Sequence, residues 1–143
     1  MKGLAQAIQD EVSKAFTYQR DIITHGKPED WRSHYEKVID YDRTKQKFVG
    51  DCDDFALTAA EVAHFKYSVP LEDLWLAICR VKRNNAGHLV LLLRQKATDL
   101  RSERWFVVDN AAKSGTAWRF EQVDSYVWQK YMSLEEKLWR AAE

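Results

Sequence analysis

The stretch from Phe48 to Phe65, FVGDCDDFALTAAEVAHF, changes character at Asp51. Beyond it the apolar positions Phe55, Ala56, Ala59, Ala60, Val62, Ala63 and Phe65 recur at helical spacing, which predicts a helix of three or more turns from Asp53. Asp51 is placed to cap that helix, the acids at 53 and 54 fill its first turn, and Gly50 permits a sharp turn into it. Cys52 therefore stands where a helix begins. Unsatisfied N–H groups and the positive end of the helix dipole there favour a thiolate. Three carboxylates, from Asp51, Asp53 and Asp54, oppose it, because like charge disfavours the ionised sulfur.

Outward from this helix, Leu74 to Val81 (LWLAICRV) is a continuous apolar run with the length and β-branched content of a buried strand. NNAG turns the chain, and HLVLLLR from His88 and WFVVDN from Trp105 read as the next two strands of a short antiparallel meander. On the N-terminal side, Leu4, Ala5, Ile8, Val12, Ala15 and Phe16 mark an amphipathic helix predicted to run to about Ile23, ended by THGKPED. A short helix is expected over Trp31 to Val38, followed by a loop. The aromatic-rich tail from Gly115 is expected to be mostly helical, with Ser133 and Glu136 as a capping box for a last helix. The fold class is α+β, a nucleophile helix packed on a small antiparallel sheet.

With 143 residues the chain fits one domain, residues 1–143, and one core. Lys plus Arg and Asp plus Glu each total 22, so no excess charge invites nucleic acid or an anionic membrane as partner. The two cysteines, Cys52 and Cys79, form no CxxC pair and are read as free thiols. The N-terminal segment carries Asp10 and Glu11 and lacks an apolar signal core, so a soluble, cytoplasmic or phage-encoded setting without a signal peptide is expected.

The order of elements suggests chemistry. Cys52 opens a helix, His88 opens a strand and Asp109 ends the next, so in-order pairing makes the last two cross-strand neighbours. A thiol nucleophile, an imidazole base and a carboxylate that holds its tautomer are the parts of a cysteine hydrolase. The Cys52 backbone N–H would supply half of an oxyanion hole. Cys79, inside an apolar strand, reads as a packed core thiol, and His25, His34 and His64 as solvated or packing residues. Asp109 alone would also suit a strand-ending Asx turn.

GDCDDFAL, GHLVLLL and WFVVDN, in this order, resemble the bacterial transglutaminase-like cysteine peptidases of the papain-like superfamily. The resemblance is strongest from Trp31 to Asn110 and extends to the tail YVWQKYMSLEEKLWR. It implies a papain-like α+β fold and cleavage of a peptide or isopeptide bond in a polypeptide substrate, with Cys52 as nucleophile, His88 as base and Asp109 as orienting carboxylate. The family's adhesin-cleaving members depend on calcium, which here implies Asp51 and Asp53 as metal ligands, with Asp54 as a third. The competing reading of these acids is that they only cap the helix. Family motifs carry GDCED where this chain has GDCDD, with a shorter side chain at 53. Gln46, six residues before Cys52, is a candidate second oxyanion donor, and Trp31 a candidate cleft aromatic. Two other functions suit the same fold: a peptidoglycan-stem amidase or endopeptidase of a phage lytic or virion kind, and a catalytically silent binding module.

Overall fold

The computed structural model describes residues 3–19, 33–111 and 117–142. In chain order its elements are α1 (Leu4–Lys14), β1 (Phe16–Tyr18), α2 (Tyr35–Ile39), α3 (Tyr41–Thr44), β2 (Phe48–Gly50), α4 (Cys52–Glu61), β3 (Leu74–Val81), β4 (Gly87–Gln95), β5 (Arg104–Val108), β6 (Trp118–Arg119), β7 (Tyr126–Ser133) and β8 (Trp139–Ala141). A π-helical turn, Val62–Lys66, extends α4. Six strands form one antiparallel sheet in the order β6-β5-β4-β3-β7-β8, and β1 and β2 pair in parallel beside it.

The predicted meander is present as β3, β4 and β5 at the centre of this sheet. Its strands read as unbroken apolar runs because both faces are covered. Leu74, Leu76, Leu89, Leu91, Leu93 and Val108 face a core shared with Ile8 and Val12 of α1 and Phe55 and Ala59 of α4. The alternate residues Ala77, Cys79, Val90, Leu92 and Val107 form a second cluster with Trp75, Trp105, Phe120, Trp128 and Tyr131. Aromatic side chains thus pack over this second face of the sheet.

Three expectations are corrected. The first helix stops at Lys14, and Phe16–Tyr18 turns into a strand whose register pairs Phe16 with Phe48 and Tyr18 with Gly50. Aromatic and β-branched residues suit that pairing, and the Phe48 N–H donates to the Ala15 carbonyl at 2.8 Å to secure the junction. The tail is strand, not helix: β7 pairs along β3 and β8 along β7. Ser133 forms a turn, its Oγ accepting from the Glu135 N–H at 3.2 Å and its carbonyl from the Lys137 N–H at 2.7 Å. The free edge of β3 offers a full ladder of backbone partners, and that tertiary pairing overrides the local capping signal. The loop expected over residues 39–50 likewise holds the short helix α3 and the strand β2. Trp31 and His25 lie outside the described residues. Among the described residues no helix is long and apolar enough to cross a membrane.

Candidate active site

Phe48 fixes where α4, the helix that Cys52 opens, begins. Its side chain is fully buried, stacked on His34 at 4.8 Å and tilted against Phe16 at 5.2 Å. Such burial stabilises by roughly 1.5–3 kcal/mol. His34, expected to be solvated or packing, is thus a packing residue, and its backbone N–H donates to Thr58 Oγ1 at 2.8 Å. Two residues on from Phe48, Gly50 is needed for space: a Cβ there would collide with the Asp54 carboxyl, which folds back over it.

That fold-back completes a capping box. Asp51 Oδ1 accepts from the N–H groups of Asp53 at 3.0 Å and Asp54 at 3.4 Å, and Asp54 Oδ2 accepts from the Asp51 N–H at 3.1 Å. Asp51 and Asp54 therefore cap the helix, as expected of Asp51. Asp53 is left facing the thiol, and Cys52 Sγ donates to its Oδ1 at 3.6 Å.

The electrostatics follow from this crowding. Burial pushes the Cys52 thiol far above its ordinary range, Asp53 and then Asp51 push it the same way, and a hydrogen bond from the Leu89 backbone N–H opposes them. Burial, followed by the charge of Asp51, raises the Asp53 carboxyl to about 6, while the thiol and the nearby His88 pull it down. The helix N-terminus alone thus leaves Cys52 a protonated thiol.

The candidate base, His88, comes from the sheet. His88 pairs with Cys79 in the β3–β4 register, and its Nε2 lies 2.7 Å from Asp109 Oδ1, in a pair whose carboxylate is fully buried. Asp109 follows β5 and is held on every side. The Ala111 N–H donates to Oδ1 at 2.9 Å and the Tyr126 hydroxyl to Oδ2 at 2.5 Å. Gln9, fully buried on α1, donates from Nε2 to the Asp109 carbonyl and accepts the Asp109 N–H at Oε1, each at 2.9 Å. This amide replaces the strand partner that Asp109 lacks.

Sequence reasoning missed Gln9 and Tyr126. Gln9 left a trace, since it lies on the buried stripe of α1 with Ala5, Ile8 and Val12, and a polar residue on such a stripe needs a buried partner. Tyr126 left none. Cys79 is the core thiol expected, fully buried, with burial and then the Asp109 charge raising it to about 12. His64 Nδ1 sits 2.8 Å from the Val69 carbonyl, far from this chemistry in role. Gln46 is exposed, and its N–H donates to Thr44 Oγ1.

Against known proteins, the family described as bacterial transglutaminase-like cysteine proteinase matches residues 2–143. No curated protein matches the chain. Among solved structures, calcium-bound LapG of Legionella pneumophila is 18% identical, with a TM-score of 0.64 over 90% of this chain and 62% of that one. A second structure of LapG is 19% identical, with a TM-score of 0.63 over 90% of this chain and 61% of that one. The EGTA-treated form is 18% identical, with a TM-score of 0.66 over 99% of this chain and 69% of that one. The likeness is one of fold, and the chain spans about three-fifths of the length of the first two.

Proposed function

Because the chain belongs to the bacterial transglutaminase-like cysteine proteinases, we propose that it hydrolyses a peptide bond in a polypeptide substrate through Cys52, His88 and Asp109. The observation that carries this reading is the 2.7 Å contact between His88 Nε2 and the buried Asp109 carboxylate. With Nε2 so engaged, Nδ1 remains to take the Cys52 proton. The sulfur then attacks the carbonyl carbon, and the Cys52 N–H, in the first turn of α4 and without an intrahelical acceptor, donates to the developing oxyanion. His88 returns the proton to the leaving amine, and water, deprotonated by the same imidazole, releases the acyl group from sulfur.

In the resting arrangement the thiol donates to Asp53, so its proton must be released from that carboxylate before His88 takes it. This is where calcium enters the reading. The two LapG forms named for calcium and for EGTA make the ion relevant to the fold, and the donors here fit it in kind. Asp51 and Asp53 offer hard carboxylate oxygens, and burial followed by the charge of Asp51 raises Asp53. Among the described residues no cluster of three or more His, Cys, Asp or Glu groups could hold a metal ion alone. Asp51 and Asp53 would therefore hold calcium together with backbone carbonyls and water. Bound there, the ion would offset the negative charge beside the sulfur. Asp54, whose carboxyl is folded back against Gly50, is not assigned as a ligand.

Two measurements test this reading. Incubation with a peptide library in calcium buffer should give cleavage that Cys52→Ala abolishes without lowering the melting temperature, and that His88→Ala abolishes at some cost in stability because it leaves the buried Asp109 carboxylate unpaired; cleavage surviving in Cys52→Ala would sink it. Calorimetric titration of chelator-treated protein should show calcium binding that Asp51→Ala or Asp53→Ala removes, and a wild-type chain that binds none loses the calcium step.

A further inference from the structure

Asp109 has two carboxylate oxygens, and a symmetric carboxylate can offer either one to an imidazole. Here the two are made different. Oδ1 accepts from His88 Nε2 at 2.7 Å and from the Ala111 N–H at 2.9 Å, whereas among the described residues Oδ2 accepts only the Tyr126 hydroxyl, at 2.5 Å. Tyr126 comes from β7, on the far side of β3 from β4, and is 7% exposed. Its ring also lies against the His88 ring, with centroids 5.2 Å apart and planes inclined at 57°, and is backed by Trp128 at 5.7 Å and 90°. One side chain thus touches both members of the His88–Asp109 pair, by hydroxyl and by face.

We propose that Tyr126 is a positioning residue of the active site: its hydroxyl fixes the Asp109 carboxylate and its ring limits rotation of the His88 imidazole, keeping Nδ1 for the Cys52 proton. This rests on the triad reading above. If Oδ2 lost its donor, the carboxylate would be free to turn in its pocket and exchange oxygens, and the imidazole would follow it. A misplaced base costs rate even where binding is intact. Burial, reinforced by the Asp109 charge, holds the Tyr126 phenol far above its ordinary range, so it remains a donor across the working pH.

The test uses the full chain in calcium buffer and reads the alkylation rate of Cys52 by iodoacetamide, followed on its own peptide by mass spectrometry across pH. Tyr126→Phe keeps the ring and removes the donor; it should slow alkylation at neutral pH about tenfold, the scale of one hydrogen bond to a charged group, and displace the inflection of the pH profile. Asp109→Asn should slow it further, and the double variant should be no slower than Asp109→Asn, because Tyr126 acts through Asp109. If Tyr126→Phe leaves rate and profile unchanged while Asp109→Asn slows them, Tyr126 only packs and this inference fails with the triad intact. If Asp109→Asn changes nothing, the triad reading and the inference fail together. Multiplying losses in the double variant would also overturn it. Should Tyr126→Phe not fold, a ring-fluorinated tyrosine at 126 keeps the shape and alters only the acidity of the donor. The profile should then move with that acidity, and a profile that stays put counts against the proposal.

Discussion

The two halves of the site are built in opposite ways. The half proposed to supply the nucleophile is local: Asp51, Asp53 and Asp54 bond within three residues of one another around Cys52, and Gly50 makes room for them. The half proposed to supply the base is assembled over distance, since Asp109 meets His88 from β4, Tyr126 from β7 and Gln9 from α1, the last a hundred positions away in sequence. Each half contains a thiol, and both thiols are raised by burial before any other cause. What separates them is the neighbouring group. Cys52 has a backbone N–H from Leu89 that favours its ionised form and a position at a helix start, whereas Cys79 donates to the His88 carbonyl at 3.7 Å and is sealed between strands. Reactivity here belongs to the surroundings, not to the residue type.

The sharpest way to break this contrast is to label both thiols at once. Iodoacetamide at neutral pH should modify Cys52 faster than Cys79 by more than about a hundredfold, because Cys79 must wait for an opening of the sheet that costs several kcal/mol. Comparable rates on the two peptides would mean that the base half is looser than its hydrogen bonds imply.

Gln9 tests how far that half depends on distant support. Gln9→Leu keeps volume on α1 but leaves the Asp109 N–H and carbonyl without partners, and should destabilise the chain by about 2–3 kcal/mol in a urea titration. Stability unchanged within error would show that the strand end finds other partners and that α1 is only a cover for the sheet.

The same division governs what could be read without coordinates. Helix α4, its cap and the meander β3–β5 were legible because their signals are local: capping residues, helical periodicity and apolar runs bounded by turns. The meeting of His88 with Asp109 was legible from their places on successive strands. The tail was misread because YVWQKYMS carries no clear alternation, and its strand state is imposed by the open edge of β3. Tyr126 was invisible for the same reason, since nothing near it in sequence predicts a partner on the strand after next but one. Gln9 was passed over as one more polar residue of an amphipathic helix.

The smallest expected effect concerns the local half, and its sign can be worked out. Asp53 is raised from 3.8 to about 6 in the folded chain. A raised carboxyl contributes stability below its unfolded value and loses it as pH rises through the folded value, so the full penalty is present above about pH 6 and absent near pH 4. Asp53→Asn removes that titration. With calcium chelated, the variant should be more stable than the natural chain at pH 7, by about 1 kcal/mol once solvent screening of this partly exposed group is discounted, and the two should converge as pH falls to 4. Calcium should reverse the order at pH 7, because only the natural chain keeps the carboxylate that would bind it. A variant less stable than the natural chain in chelator would mean that Asp53, like Asp51 and Asp54, serves the helix start, and that the crowding beside Cys52 carries no stored repulsion for a cation to relieve.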